Sequence, residues 1–139
     1  MTRIVALSAL AAAVVVAAVA AGPAGAKGGV EARLVTPISR GALPGTRITV
    51  VWTLASVDGG KRRPFEAGGV FVRLFGRDSR SLRVYATTMA APGRYRAVVR
   101  IPRGGVLRIE IGLMGTACDA EGCRRSPALF PIVGRRFRS

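Results

Sequence analysis

From residue 30 onward the apolar residues of this chain recur at every second position. In "TRITVVWTL", residues 46–54, Ile48, Val50, Trp52 and Leu54 fall on one side, and Arg47, Thr49, Val51 and Thr53 on the other. That alternation is the signature of a strand with one buried face. "GVFVRLF" sets Val70, Val72 and Leu74 against Phe71, Arg73 and Phe75. "RYRAVVRI" sets Tyr95, Ala97, Val99 and Ile101 against Arg94, Arg96, Val98 and Arg100, and "VLRIEIGL" points Leu107, Ile109, Ile111 and Leu113 inward. Val30 to Val35 and Ser81 to Thr87 bring the expected strands to at least six.

Turn formers separate these runs: "GALPG" at 41–45, "DGG" at 58–60, "APG" at 91–93 and "PRGG" at 102–105. No sustained helical period appears after residue 30. Short strands with such punctuation predict an antiparallel β-sandwich, because the apolar face of one sheet must be covered by another. The "PRGG" turn predicts a hairpin between "RYRAVVRI" and "VLRIEIGL". Two registers keep its apolar faces matched, one with Arg96 opposite Glu110 and one with Arg100 opposite Arg108. The first is expected, since opposite charges across a strand pair attract and like charges repel.

The N-terminus is of another kind. Met1-Thr2-Arg3 precedes an apolar run from Ile4 to Ala21, broken at Gly22-Pro23 and followed by Ala24-Gly25-Ala26. This is the pattern of a helical signal peptide over residues 1–26, cleaved after Ala26. An uncleaved membrane anchor is the alternative. No cysteine follows to carry a lipid, and no paired arginines precede the run. The rest of the chain is the length of one domain, expected to fold over residues 27–134. The last residues, 135–139, form a basic tail that offers only Phe137 to bury and is expected to be disordered.

The 139 residues carry 22 Lys and Arg against 7 Asp and Glu, a formal charge of +15 with no histidine. Cleavage would remove only Arg3, leaving 21 against 7 and a charge of +14. Such an excess attracts anionic surfaces such as lipid head groups or wall polymers. Arg94, Arg96, Arg100 and Arg108 would line one outward stripe in the expected hairpin, the candidate contact for an anionic partner. Aromatic company along that stripe is thin, so base stacking with nucleic acid is not expected.

The missing histidine excludes the Ser-His and Cys-His arrangements of nucleophilic catalysis. A Ser-Lys dyad would have to use Lys27 or Lys61. Glu31, Asp58, Glu66, Asp78 and Glu110 are too scattered to flank a glycosidic bond, and none of the Gly-Gly pairs leads into a phosphate loop. Catalysis and cofactors are not expected. Trp52, Met89 and Met114 read as packing residues.

The two cysteines sit in "GTACDAEGCRRSP", residues 115–127. Zinc would need four ligands, and here only Asp119 and Glu121 stand beside the two thiols. The C-x4-C spacing is also wrong for a C-x-x-C redox pair. In an oxidising compartment the two are expected to form a disulfide, Cys118–Cys123. It would staple a loop that presents Asp119, Glu121, Arg124 and Arg125, a candidate recognition loop. Closing so short a ring is worth about 2 kcal/mol in the chain-entropy account.

"PGTRITVVWTLASVDGGKRRPFEAGGVFVRL" followed by "PGRYRAVVRIPRGGVLRIEI" resembles the YtkA-like and FixH-like exported immunoglobulin-like domains over residues 44–113. The shared features are Asp58-Gly59-Gly60-Lys61 leading to Pro64 and Ala67, a "VFVRL" strand, and Gly93-x-Tyr95 before a Pro-Gly turn. The resemblance implies an immunoglobulin-like β-sandwich. Some proteins of that architecture bind copper through His and Met, an activity that does not carry over to a chain without histidine. The expectation is therefore an exported, non-enzymatic interaction domain at or outside the cell envelope, whose partner is an anionic envelope component or another exported protein. Nucleic acid is not expected as a partner, and membrane contact is expected only through an uncleaved leader. A copper-type metal-handling domain and a membrane-anchored accessory subunit are the alternatives.

Overall fold

The computed structural model describes residues 29–78 and 81–139, and the leader expected over residues 1–26 lies outside them. The described chain is all-β. Its strands are β1 (Val30–Leu34), β2 (Ile38–Ser39), β3 (Arg47–Asp58), β4 (Lys61–Pro64), β5 (Val70–Phe75), β6 (Arg83–Tyr85), β7 (Thr87–Thr88), β8 (Arg94–Arg100), β9 (Arg108–Asp119), β10 (Gly122–Phe130) and β11 (Phe137–Arg138). One antiparallel sheet has the order β1-β3-β8-β7, with β4 also paired to β3, and a second has the order β10-β9-β5-β6. The short β2 and β11 pair in parallel.

A single apolar cluster draws on both large sheets. Val50, Trp52, Leu54, Tyr95, Ala97 and Val99 come from the first, and Val70, Val72, Leu74, Ile109 and Ile111 from the second. Two antiparallel sheets sharing one core are compatible with a β-sandwich. The alternation read from β3 and β8 is the one observed, with every inward residue of "RYRAVVRI" buried. At the centre Trp52 stands directly opposite Tyr95 on the neighbouring strand, their rings stacked with centroids 6.1 Å apart. The Tyr95 hydroxyl donates to the Phe65 carbonyl at 3.0 Å and accepts from the Ala67 amide at 2.9 Å. It thereby ties down the stretch that carries the chain from β4 in one sheet to β5 in the other.

Several expectations are corrected. β8 and β9 do not form a hairpin, because they lie in different sheets. Arg96 faces Val51 and Thr87, and Glu110 faces Arg73. The connection crosses between sheets because Ile101 and Val106 both enter the core. In the next run Ile109 and Ile111 are buried and Leu113 packs on the core as expected, and only Leu107 departs, exposed while its neighbour Val106 is buried.

The run from Ser81 to Thr87 is likewise two strands rather than one, β6 on the second sheet and β7 on the first. Phe71, on the outer face of β5, is nonetheless buried, covered by Tyr85 edge-on and by the Arg83 guanidinium 4.7 Å from its ring. Within the tail, Phe137 and Arg138 form β11: Phe137 pairs with Ile38, packs against the core and carries Arg40 on its ring at 4.3 Å. Backbone bonds from Ile38 to the Arg136 carbonyl (3.0 Å) and from Arg40 to the Arg138 carbonyl (3.2 Å) hold the segment together with the ring.

Tyr95→Phe keeps the stack and strands the Ala67 amide and the Phe65 carbonyl. Denaturant titration should show a loss of about 1–3 kcal/mol with an unchanged slope, and no loss would mean the hydroxyl does not hold the crossing.

Candidate functional site

Antiparallel strands put Arg47 at the start of β3 beside Arg100 at the end of β8, and Phe75 at the end of β5 beside Arg108 at the start of β9. Three connections therefore meet at one end of the domain: the stretch before β3, the stretch after β5, and the crossing from β8 to β9. The first is a turn of the Pro-Gly kind, Leu43-Pro44-Gly45-Thr46, with Gly45 at φ +80°. The Leu43 carbonyl accepts from both the amide and the hydroxyl of Thr46. Backbone bonds from Gly45 to the Ile101 carbonyl (2.9 Å) and from Ile101 to the Thr46 carbonyl (2.8 Å) fix it to the crossing.

The other two connections touch through glycine. A Cβ on Gly76 would lie 2.6 Å from Pro102, and one on Gly104 would lie 2.6 Å from the Arg77 backbone. With no side chain at either position, the loops of the two sheets close against each other.

This end gathers Arg40, Arg47, Arg77, Arg100 and Arg103. Arg40, Arg77 and Arg103 ring an open depression, and Arg100 and Arg103 border a neighbouring cavity of about 340 Å³. Arg47 stands directly opposite Arg100, a like-charge pair that weakens the sheet in isolation. Of the seven acidic residues, only Asp78 belongs to these loops. Glu110 is engaged by Arg108, and Glu31, Asp58, Glu66, Asp119 and Glu121 lie at or towards the opposite end. Among the arginines stand exposed leucines: Leu43 at 70%, Leu82 at 74% and Leu107 at 49%. Apolar side chains held in water beside a marked excess of positive charge form a surface suited to contact.

The residues singled out from the sequence are distributed differently. Arg94, Arg96 and Arg100 share the outer face of β8, whereas Arg108 sits on the other sheet, stacked over Phe75 at 3.8 Å and paired with Glu110. The four do not form one stripe. Asp119, Glu121, Arg124 and Arg125 do come together. The expected loop is a hairpin in which β9 and β10 continue beyond β5, exposed from Thr116 to Pro127. The Cys118–Cys123 disulfide joins directly opposite residues near its tip. Asp119 accepts from the Glu121 amide and pairs with Arg124, so the tip satisfies much of its own charge.

Sequence reading missed the loop end because its arginines come from three segments far apart in the chain. The punctuation "GALPG" and "PRGG" marked two of the segments without showing that they meet.

Among the described residues, no group of three or more His, Cys, Asp or Glu is placed to hold a metal, and no helix is long and apolar enough to cross a membrane. No protein-family model, curated protein or solved structure matches the chain.

The ribbon buries almost nothing, and an isolated two-stranded ribbon is marginal in water. Replacing both cysteines by serine should therefore fray residues 116–125, seen as faster amide exchange there, while the Trp52 region keeps its protection. The loss of stability should not exceed about 2 kcal/mol. Loosening of the core to the same extent would mean the disulfide supports the whole domain.

Proposed function

We propose that this protein is an exported, non-enzymatic interaction domain of immunoglobulin-like sandwich architecture that docks on an anionic, phosphate-bearing surface of the cell envelope. The observation that carries the reading is the loop end, where Arg40, Arg77, Arg100 and Arg103 stand beside the exposed Leu43, Leu82 and Leu107. Each arginine near such a surface adds about 1 kcal/mol of attraction. Each leucine that leaves water on contact adds up to ~1.5–3 kcal/mol. The two contributions act together only where charge and apolar groups share one face, as they do here.

Three further features support the reading. A disulfide between Cys118 and Cys123 is compatible with an oxidising compartment. The N-terminal sequence has the form of an export signal. The absence of histidine from the chain removes the commonest general base.

The reading predicts adsorption to vesicles containing phosphatidylglycerol and little adsorption to phosphatidylcholine alone. Binding should weaken as salt rises, because the Debye length falls from ~10 Å at 0.1 M to ~3 Å at 1 M. Arg77→Ala and Arg103→Ala should each cost roughly fivefold in affinity, about 1 kcal/mol, and Arg125→Ala on the distant ribbon should cost little. Equal binding to both vesicle types, or binding indifferent to salt, would contradict it.

A further inference from the structure

The outer face of the first sheet carries arginine at three places along β8. Arg94, Arg96 and Arg100 alternate with the buried Tyr95, Ala97 and Val99, so all three lie on the face turned away from the core. At about 3.3–3.4 Å per residue, they stand in one line about 20 Å long. The register sets a further arginine beside each end of the line: Arg47 is directly opposite Arg100, and Arg33 lies across Thr53 from Arg94. Among the described residues no acid stands in these rows. The next in register, Glu31 opposite Ala55, is already bonded to Arg62.

The middle of the line is built differently from its ends. Arg96 borders a shallow depression shared with Thr49, Tyr85, Thr87 and Val98, every one of them on a strand. Three of these neighbours bring hydroxyls and none brings a carboxylate. The Thr87 hydroxyl reaches the Arg96 carbonyl only at 3.5 Å, a long contact that a bound oxyanion would readily replace. The depression exists because the chain changes sheet at Ala86. There the Ala86 amide bonds to the Val70 carbonyl of the second sheet, and β7 covers β8 only at Tyr95 and Arg96. A guanidinium among hydroxyls offers the donors that a phosphate oxygen accepts from.

We propose that this face binds a linear phosphate-bearing polymer laid along β8, with Arg96 and the hydroxyls of Thr49, Tyr85 and Thr87 holding one phosphate. Phosphates further along the chain fall to Arg100 with Arg47, and to Arg94 with Arg33. A lone phosphate or a single lipid head meets one of these places at a time. A chain meets all three, and each engaged place raises the local concentration of phosphate at the next. The proposal rests on reading the protein as one that meets envelope phosphate. It adds a second face to the loop end, continuous with it through Arg47 and Arg100. Tyr85 is the one exposed aromatic residue here among the described residues, so nucleic-acid bases gain little by stacking.

The test titrates the protein, purified as its cell produces it, with long-chain inorganic polyphosphate and follows the backbone amides by NMR. Saturable shifts at Thr49, Thr87, Arg96 and Val98 are expected, with orthophosphate at least ~100-fold weaker. The logarithm of the affinity should fall linearly with the logarithm of the salt concentration. Arg96→Gln should lower that slope by about one and the affinity roughly tenfold. Thr49→Val keeps the branched strand-forming side chain, removes one hydroxyl and should cost about threefold. It keeps the test decisive if the arginine variant fails to fold. Arg125→Gln on the ribbon should change neither slope nor affinity.

An equal loss in Arg125→Gln would mean a diffuse attraction, and tighter binding of oligodeoxythymidylate than of polyphosphate would mean base contacts. Either result would overturn the proposal, as would the lack of saturable shifts on this face. Phosphatidylglycerol vesicles separate it from docking by the loop end. Unchanged adsorption of Arg96→Gln is expected, whereas a loss equal to that for polyphosphate would make the face a membrane contact and overturn the polymer. Failure of the unmodified protein to adsorb would count against the docking reading alone, since the polyphosphate titration does not depend on it.

Discussion

The stacked pair of Trp52 and Tyr95 is the constraint on which the other parts of the structure depend. It joins β3 to β8 at the centre of the first sheet. Through the Tyr95 hydroxyl it also holds the crossing to β5, where the second sheet begins. The two aromatic residues do this by different means. Tyr95 uses both of its hydrogen-bonding capacities on backbone groups, whereas the indole N–H of Trp52 is buried with no partner among the described residues. Packing against the Tyr95 ring and the core places Trp52, and the hydroxyl bonds of the tyrosine give the pair its direction. Once β3 and β8 are fixed in register, Arg47 and Arg100 must lie side by side at the loop end.

That consequence links folding to the proposed function. A row with two arginines and no acid weakens an isolated strand pair, and here it stands at the edge of a core that can absorb the cost. The glycines at 76 and 104 let the loops of both sheets close together, so Arg77 and Arg103 join the same patch. The opposite end is built otherwise. There Arg62 pairs with Glu31, and Arg124 pairs with Asp119 on a ribbon held by a disulfide. The domain thus has one end whose charges largely answer each other and one whose charges do not, and a long-range attraction would orient it by the latter.

Much of this was legible along the chain, within limits set by physics. Period-two alternation marks which side of a strand is apolar, and the inward residues of β3 and β8 were read correctly from it. Pro44-Gly45 announced its turn, and Cys118 and Cys123 their bond. Alternation does not say which sheet a strand joins. "RYRAVVRI" and "VLRIEIGL" carry complementary patterns and a turn between them, yet the burial of Ile101 and Val106 sends the chain across the core instead. The same blindness merged β6 with β7, whose change of sheet takes place at Ala86. The loop end was beyond local reading altogether, because its arginines become neighbours only after three crossings are in place.

The central claim, that the loop end is the face presented to an anionic surface, is tested most directly by hydrogen–deuterium exchange of the protein with and without phosphatidylglycerol vesicles. Protection confined to residues 40–45, 76–78, 81–82 and 100–107, with the ribbon at 116–126 exchanging as before, is the result the account predicts. Protection of the ribbon with the loop end unchanged would contradict it.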